Sequence, residues 1–165
     1  MNDKREWVID FIRENQNDMY RFAYSYVKNR EDALDIIQES VVKAISSSKK
    51  LRDISCIKAW IFKIIVNEVY QFFRRSRIRT EDIDIEGVEY EGNTDSLTEY
   101  IDKQAVLKEV MNLDEKYRMI IVLRYFEDMQ IREIGSILDI SQSTVKSRLY
   151  KALYLLKKRL GEDCL

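Results

Sequence analysis

Hydrophobic residues recur every three or four positions along most of the chain, which is the spacing of one face of an α-helix. The first such pattern covers Trp7 to Ile12 and continues from Tyr20 to Val27. The chain also has few helix breakers and many Ile, Leu, Lys and Glu residues. The pattern therefore predicts an all-α protein that begins with a helical segment.

A second helix is predicted to start after Asn29, an N-cap residue type followed by two carboxylates, which suit the positive end of a helix dipole. Its apolar stripe is expected to contain Leu34, Ile37, Val41, Ala44 and Ile45. Off that stripe lies a polar face with Asp35, Gln38, Glu39 and Lys43. The sequence "SSSKKLRDIS" then interrupts the period and predicts a loop.

A third helix is predicted to follow, with Ser55 as its N-cap. Its buried side is expected to contain Ile57, Trp60, Ile61, Ile64, Ile65, Val69 and Phe72. The helix ends in "FFRRSRIR", where arginines interleave with aromatic residues. This combination suits single-stranded nucleic acid, because phosphates need cations and unstacked bases need flat partners. A core aromatic pair followed by a solvated basic helix end explains it equally simply.

The segment "QIREIGSILDISQSTVKSRLYKAL" has the spacing of a helix-turn-helix. Gly135 is small where the two helices must approach closely, and Asp139 tolerates the left-handed backbone of the turn. Ser141 is a good N-cap for the second helix. The inner positions of the motif are Ile134, Leu138, Ile140, Val145 and Leu149.

In the last helix the buried stripe continues through Ala152, Leu156 and Leu160. At about 100° per residue, the opposite face holds Ser143, Ser147, Tyr150, Lys151 and Tyr154, with Lys146 and Arg148 on the flanks. No carboxylate occurs from Ile140 to Leu160. Short polar, aromatic and cationic side chains without a carboxylate are what the major groove of DNA accepts. An amphipathic core helix with a basic outer face is the simpler alternative.

The composition excludes several classes of function. The chain of 165 residues has no histidine, no proline and only four glycines. It therefore lacks the commonest general base and metal ligand, and it has no glycine-rich phosphate-binding loop. Cys56 and Cys164 are far apart and are expected to be unpaired thiols. The charged N-terminus has no signal-peptide core and no apolar run could span a membrane, so a cytoplasmic location is expected.

Charge is distributed unevenly along the chain, although the total is only −1. Residues 1–80 carry a net charge of +5, residues 81–102 carry −9 and residues 103–165 carry +3. Two basic segments thus flank an acidic one that contains two of the four glycines. We expect helical domains at 1–80 and 99–165, joined by an acidic flexible linker at 81–98. A merely solvated acidic loop explains the same composition.

At this point the chain resembles an extracytoplasmic-function sigma factor, the two-domain class of the sigma-70 family. "EDALDIIQESVVKAI" is similar to the polymerase-binding helix of that family, and "IKAWIFKIIVNEVYQFFRRSR" is similar to its promoter-melting helix. The segment from Leu113 to Leu153 resembles its region 4. One departure is Leu51, where the family often has phenylalanine followed by Arg-Gly.

The resemblance implies a non-catalytic protein, without cofactor, metal or small-molecule substrate, that directs core RNA polymerase to promoter DNA. Asp35, Gln38 and Glu39 would bind the clamp of the largest polymerase subunit, and the flap of the second largest subunit would meet the second half. Contacts to the minus-thirty-five element are expected from Arg118, Arg124, Ser143, Lys146, Ser147, Arg148, Tyr150 and Lys151. Contacts to the minus-ten element are expected from Lys43, Ser47, Leu51, Trp60, Asn67, Arg74 and Arg75.

The resemblance further implies an anti-sigma factor as a partner, and in this family that partner is often membrane-anchored. The nearest similarity is to envelope-stress members from low-GC Gram-positive bacteria. The acidic linker would run through the polymerase cleft, near the path of the nascent RNA, as a mimic of that polyanion.

Two other functions compete with this interpretation. A stand-alone helix-turn-helix regulator, binding duplex DNA without polymerase, would explain residues 113–165 but not the first helices. An enzyme acting on nucleic acid would need paired carboxylates around a metal, whereas the acidic residues crowd the linker.

Overall fold

The computed structural model describes residues 3–79 and 97–161 of the chain, and every regular element in these ranges is helical. This confirms the predicted all-α fold. The helices form two compact units, one built on the three long helices of residues 3–79 and the other on the helical residues within 97–135 and 140–160. The acidic linker predicted at 81–98 lies almost entirely outside the described residues. Its last two positions, Leu97 and Thr98, are the first residues of a helix that extends to Asn112, α4.

The first unit is a bundle of three long helices, α1 (Lys4–Val27), α2 (Arg30–Ser46) and α3 (Ile57–Arg79). Its centre contains Phe22, whose ring lies 5.1 Å from that of Tyr26 and 5.0 Å from that of Phe62. Helix α1 is kinked at Asn15, which has non-helical backbone angles and donates a side-chain hydrogen bond to the Phe11 carbonyl at 2.8 Å. The two predicted apolar segments are therefore one kinked helix.

Helix α2 begins as predicted but buries a different face. The Asn29 side chain accepts a hydrogen bond from the Asp32 backbone N–H at 3.1 Å, which confirms the N-cap. The buried residues, however, are Ala33, Ile36, Ser40 and Ala44. Ala44 is buried as predicted, but the rest of the predicted stripe is displaced from the buried face by about one position. Small residues line the actual seam, because they let α1 and α3 approach closely, and Ser40 satisfies its hydroxyl on the Ile36 carbonyl at 2.7 Å.

The predicted N-cap at Ser55 is also wrong. Two short 3₁₀ turns, Ser48–Lys50 and Ile54–Cys56, connect α2 to α3. The capping side chain is Asp53, which accepts a hydrogen bond from the Ser55 backbone N–H at 2.9 Å. The Ser55 amide and hydroxyl hold the pKa of the Asp53 carboxyl below its usual value. Ser55 thus lies inside the second turn and supplies donors to the residue that caps it.

The second unit contains four helices. These are α4 (Leu97–Asn112), α5 (Glu115–Ile121), α6 (Ile131–Leu138) and α7 (Gln142–Leu160). Helix α5 continues as a π-helical turn over Val122–Phe126 before the chain turns towards α6. Among the largest fully buried side chains here are Ile120, Leu123, Met129 and Ile134, and Val145 from α7 is also fully buried. This core fixes α7 so that its other face points to solvent.

Candidate nucleic-acid interfaces

The turn between α6 and α7 has the geometry of a helix-turn-helix. Asp139 adopts the left-handed conformation with φ of 59°, as predicted. A Cβ atom on Gly135 would lie 2.9 Å from the Ile140 carbonyl oxygen, so only glycine fits there without a shift of the backbone. The Ser141 hydroxyl accepts a hydrogen bond from the Thr144 backbone N–H at 3.2 Å, which confirms the cap of α7.

Helix α7 separates a buried stripe from a polar outer face. Val145, Leu149, Ala152 and Leu156 are buried, and Leu160 is half-buried at the end of the stripe. Ser143, Lys146, Ser147, Tyr150 and Lys151 are all exposed on the outer side, and Arg148 is half-buried on a flank. The Lys151 ammonium lies 5.3 Å from the centre of the exposed Tyr154 ring. The helix therefore offers cations and an aromatic edge together to a groove.

Arg118 is not available for the backbone contact that the sequence predicted. Its guanidinium is buried and donates hydrogen bonds to the carbonyls of Met111 and Leu113, at 3.1 Å and 3.2 Å. One of these carbonyls lies at the end of α4 and the other just beyond it, where no helical N–H group follows to donate a hydrogen bond. Arg118 therefore holds α5 against the end of α4, and we correct its assignment from a DNA contact to a structural residue.

Arg124 lies on the π-helical turn and remains partly exposed. It donates a hydrogen bond to the Met129 carbonyl at 3.2 Å and lies 3.9 Å from an exposed Asp128 carboxylate oxygen. Its guanidinium is 5.9 Å from the centre of the Tyr125 ring. Because Arg has five N–H donors, these contacts orient the side chain and leave donors for a phosphate.

The predicted minus-ten pocket of the first unit is only partly supported by the placement of its residues. Lys43 makes an ion pair with Glu68 of α3, and the Ser47 hydroxyl donates to the Lys43 carbonyl. Leu51, in contrast, is only 2% exposed and packs in the core, while its carbonyl accepts a hydrogen bond from Lys4 at 2.7 Å. A base cannot contact a buried side chain, so Leu51 is corrected to a core residue that supports the loop.

The remaining minus-ten candidates lie along α3. Asn67 is exposed one position before Glu68, and Trp60 is half-buried near the start of the helix. Arg74 and Arg75 are exposed towards its end, next to a half-buried edge-to-face pair of Phe72 and Phe73 with ring centres 5.6 Å apart. This arrangement accommodates both explanations of the basic aromatic segment, since the phenylalanines pack while the arginines stay free for phosphate.

Helix α2 exposes a mixed acidic and apolar face on the side opposite its buried seam. Asp35, Gln38 and Glu39 are exposed there as predicted. Leu34 is 41% exposed and Val42 is 64% exposed on the same side. At about 100° per residue these five side chains span only about 140° of the helix. We call them the α2 outer face.

The charge on this helix is dense at its N-terminal end. Partial burial, reinforced by the neighbouring carboxylates of Asp35 and Glu31, raises the pKa of Asp32 above its usual value. Mutual repulsion among these acids is a cost that a cationic partner surface would relieve.

Glu68 and Lys4 contact the candidate residues Lys43 and Leu51, and the sequence pattern did not single out either of them. Glu68 follows the apolar stripe residue Ile65 by three positions, and a carboxylate at such a position signals a buried pair. No comparable signal pointed to Lys4.

Metal and membrane sites are not evident in the part of the chain that the structure describes. Over residues 3–79 and 97–161, no three His, Cys, Asp or Glu side chains are grouped in a way that could hold a metal ion. None of the helices there combines the length and apolar character needed to cross a membrane. Cys56 is exposed and unpaired, as expected, while Cys164 lies outside the described residues.

Comparison with known protein families gives two matches, one in each unit. Residues 11–78 match sigma-70 region 2, and residues 103–156 match sigma-70 region 4. The first match covers most of α1 to α3, and the second covers the helix-turn-helix and the outer face of α7.

Curated relatives extend over nearly the whole chain. The sequence is 39% identical over 159 residues to the RNA polymerase sigma factor SigV of Bacillus subtilis strain 168, covering 94% of this chain and 92% of the relative. It is 29% identical over 143 residues to the ECF RNA polymerase sigma factor SigM of the same organism, covering 86% and 87%.

Solved structures with the same fold include two proteins that were determined in complexes. The sigma factor RpoE, crystallised with the anti-sigma factor NepR from Bartonella quintana, is 26% identical with a TM-score of 0.75, covering 92% of this chain and 96% of that one. CnrH, in complex with the cytosolic domain of CnrY, is 19% identical with a TM-score of 0.67, covering 96% and 90%. The second likeness supports the fold alone.

Proposed function

We propose a division of tasks between the two units from the premise that this chain belongs to the extracytoplasmic-function class of RNA polymerase sigma factors. It binds core RNA polymerase and directs transcription initiation at specific promoters. The observation that carries the division is the pairing of a region 2 unit with a helix-turn-helix unit whose outer face has no carboxylate. The protein supplies recognition, and the polymerase supplies the chemistry.

The second unit reads the minus-thirty-five element as duplex DNA. Lys146, Ser147, Tyr150 and Lys151 contact base edges, with Ser143 near the helix N-terminus. Arg148 and Arg124 contact the phosphate backbone. Their exposure and the absence of acids on α7 support this, because phosphate contacts position a protein and groove contacts specify the sequence.

The first unit captures the melted minus-ten element. Lys43, Ser47 and Asn67 line the pocket for an unstacked base, without the Leu51 side chain. Trp60, Arg74 and Arg75 follow the strand along α3. The exposed arginines beside a packed aromatic pair support this, because single strands bind to cationic grooves next to flat side chains.

The α2 outer face docks on the clamp of the largest polymerase subunit. Exposed Leu34 and Val42 beside Asp35 and Glu39 support a protein partner rather than DNA, since carboxylates repel phosphate and the apolar atoms favour a packed interface. The flap of the second largest subunit meets the second unit. The predicted linker between the units, 81–98, passes through the polymerase cleft, where its carboxylates mimic nascent RNA.

An anti-sigma factor completes the set of partners. The solved relative RpoE is held by the anti-sigma factor NepR, which supports a protein inhibitor for this chain as well. We place the protein in the cytoplasm with its promoters, held at the membrane when its inhibitor is anchored there. It has no catalytic activity of its own in this scheme, and it takes no small-molecule substrate.

Run-off transcription with purified core polymerase tests the proposed function. Core polymerase with this protein should produce discrete transcripts from genomic fragments that core polymerase alone does not produce. A stand-alone helix-turn-helix regulator would instead bind duplex DNA without polymerase and add no start sites. Absence of new transcripts, together with tight duplex binding by the free protein, would contradict the sigma function.

A further inference from the structure

Glu68 is a charged residue in the interior of the first unit. Its side chain is only 7% exposed, and it lies on α3 between the buried residues Val66 and Val69. Its carboxylate oxygen accepts a hydrogen bond from the Lys43 ammonium, which reaches across from α2, 25 positions earlier in the chain. A buried carboxylate is stable only with a partner, so the pair is a fixed feature of the fold.

Lys43 can contact a ligand in solvent while it remains paired with Glu68. The Lys43 side chain is 44% exposed, whereas the Glu68 side chain is only 7% exposed. An ammonium group has three N–H donors, and Glu68 takes one of them. The remaining donors are free to face a nucleic acid, and the carboxylate limits the rotation of a side chain that is otherwise flexible.

The neighbours of this pair are the other candidates for the minus-ten pocket. Ser47, the residue that directly follows α2, donates its hydroxyl to the Lys43 carbonyl. Asn67 is adjacent to Glu68 in the chain and is exposed. The ion pair therefore joins the two helices that carry the pocket, at the level of the pocket itself.

We propose that Glu68 is a positioning residue that orients the Lys43 ammonium towards the melted minus-ten strand. This rests on the proposed function of the first unit. A DNA group that pulled Lys43 away would leave the Glu68 carboxylate buried without a partner, at a large energetic cost. Lys43 therefore contacts the strand while remaining paired, with its direction set by Glu68.

The test separates orientation from simple stabilisation. Glu68→Gln removes the charge that orients Lys43. Exchanging the two residues, Lys43→Glu with Glu68→Lys, keeps an ion pair but moves the cation to α3. A neutral pair, Lys43→Gln with Glu68→Gln, removes both charges and leaves no buried ion. The matched control is Glu14→Gln on α1, where the glutamate is exposed.

Each variant is measured in holoenzyme for promoter opening by permanganate reactivity and for binding of a single-stranded minus-ten oligonucleotide. Thermal unfolding of the free protein reports stability. We expect Glu68→Gln to reduce strand binding and the opening rate by about 10-fold, the effect of one charge-assisted hydrogen bond, with Glu14→Gln unchanged. The exchanged pair should recover stability but not opening, and the neutral pair should fold and also open slowly.

Two results would overturn the proposal. One is recovery of both stability and opening in the exchanged pair, which would make the ion pair purely structural. The other is normal opening by Glu68→Gln or by the neutral pair, which also decides the question if the exchanged pair does not fold. Failure of the proposed function is distinguishable, because wild-type protein would then give no promoter-dependent transcripts.

Discussion

At the scale of single residues, two arginines of the second unit have different roles, one in the fold and one proposed in DNA binding. Arg118 is buried and donates to two main-chain carbonyls, whereas Arg148 is half-buried on a flank of α7. Both looked like backbone contacts from the sequence, because composition and spacing do not reveal which guanidinium the fold uses internally. The two arginines can be distinguished only once the structure shows that the end of α4 lies within hydrogen-bonding distance of Arg118.

Arg118→Ala should therefore destabilise the protein, while Arg148→Ala should weaken promoter binding. Loss of the Arg118 bonds leaves two carbonyls without their charged donor, and we expect a loss of about 2–3 kcal/mol in the free energy of unfolding. Arg148→Ala should stay within about 0.5 kcal/mol of wild type. Urea denaturation followed by circular dichroism measures both. Equal stability of the two variants would remove the structural role of Arg118.

Leu51 gives the same lesson in an apolar residue. The family resemblance placed it in the base pocket, and the structure buries it to 2% exposure beneath the loop. Its tether to Lys4 joins the start of α1 to that loop, a contact across 47 positions. Such long-range contacts have no local signal in a sequence, which is why the burial of Leu51 could not be predicted from its position in the motif.

At the scale of elements, the caps of α2 and α7 and the helix-turn-helix turn were predicted correctly, whereas the Ser55 cap and most of the α2 stripe were not. Asn29, Ser141, Gly135 and Asp139 occupy their predicted roles because each depends on local backbone geometry. The stripe of α2 was misplaced because its buried seam includes Ala33 and Ser40, which are less hydrophobic than their larger neighbours. Close packing between helices favours small side chains, and this requirement cannot be recognised in the sequence before the partner helices are known.

The tight turn of the helix-turn-helix gives a prediction at this scale. Gly135→Ala would place a methyl group 2.9 Å from the Ile140 carbonyl oxygen, a backbone atom that cannot move alone. We expect a loss of about 1–3 kcal/mol in unfolding free energy and weaker binding to the minus-thirty-five element. Ser136→Ala, on the neighbouring exposed position, is the control. Thermal melts of both proteins should differ clearly, and coincident melts would contradict the close approach.

The α2 outer face gives a second prediction. Asp35→Lys with Glu39→Lys should reduce binding to core polymerase, because both carboxylates are exposed beside Leu34 and Val42 on the proposed docking surface. Neither residue belongs to the buried seam, so stability should change by no more than about 0.5 kcal/mol. A pull-down with core polymerase at two salt concentrations measures the effect. Unchanged binding by a folded variant would place the polymerase interface elsewhere.

At the scale of the whole molecule, each unit has its own core and carries one of the two proposed DNA sites. Phe22 and Phe62 anchor the first core, while Ile134 and Val145 belong to the second. The two proposed sites lie on different helices, α7 for the first and α2 with α3 for the second. We therefore expect damage to one site to leave the other intact.

Lys151→Ala and Asn67→Ala should accordingly fail at different steps. Lys151 is exposed on α7, so its loss removes a groove contact to duplex DNA, worth about 1–3 kcal/mol. Holoenzyme with this variant should bind the promoter weakly even when the minus-ten region is already melted. Asn67 is exposed on α3 beside the Lys43–Glu68 pair, and it should matter only after the strands part. Its variant should engage the minus-thirty-five element normally and open the promoter slowly.

A change in the captured minus-ten base gives the sharpest comparison of the two variants. Base capture offsets an unstacking cost of a few kcal/mol, so the pocket must discriminate between bases to be useful. Wild-type and Lys151→Ala holoenzymes should both open a base-changed template more slowly than the matched one, because their pockets are intact. Asn67→Ala should open the two templates at nearly the same rate, because the contact that distinguishes them is gone. Permanganate footprinting on both templates measures this, and equal base sensitivity in all three proteins would leave Asn67 with a structural role only.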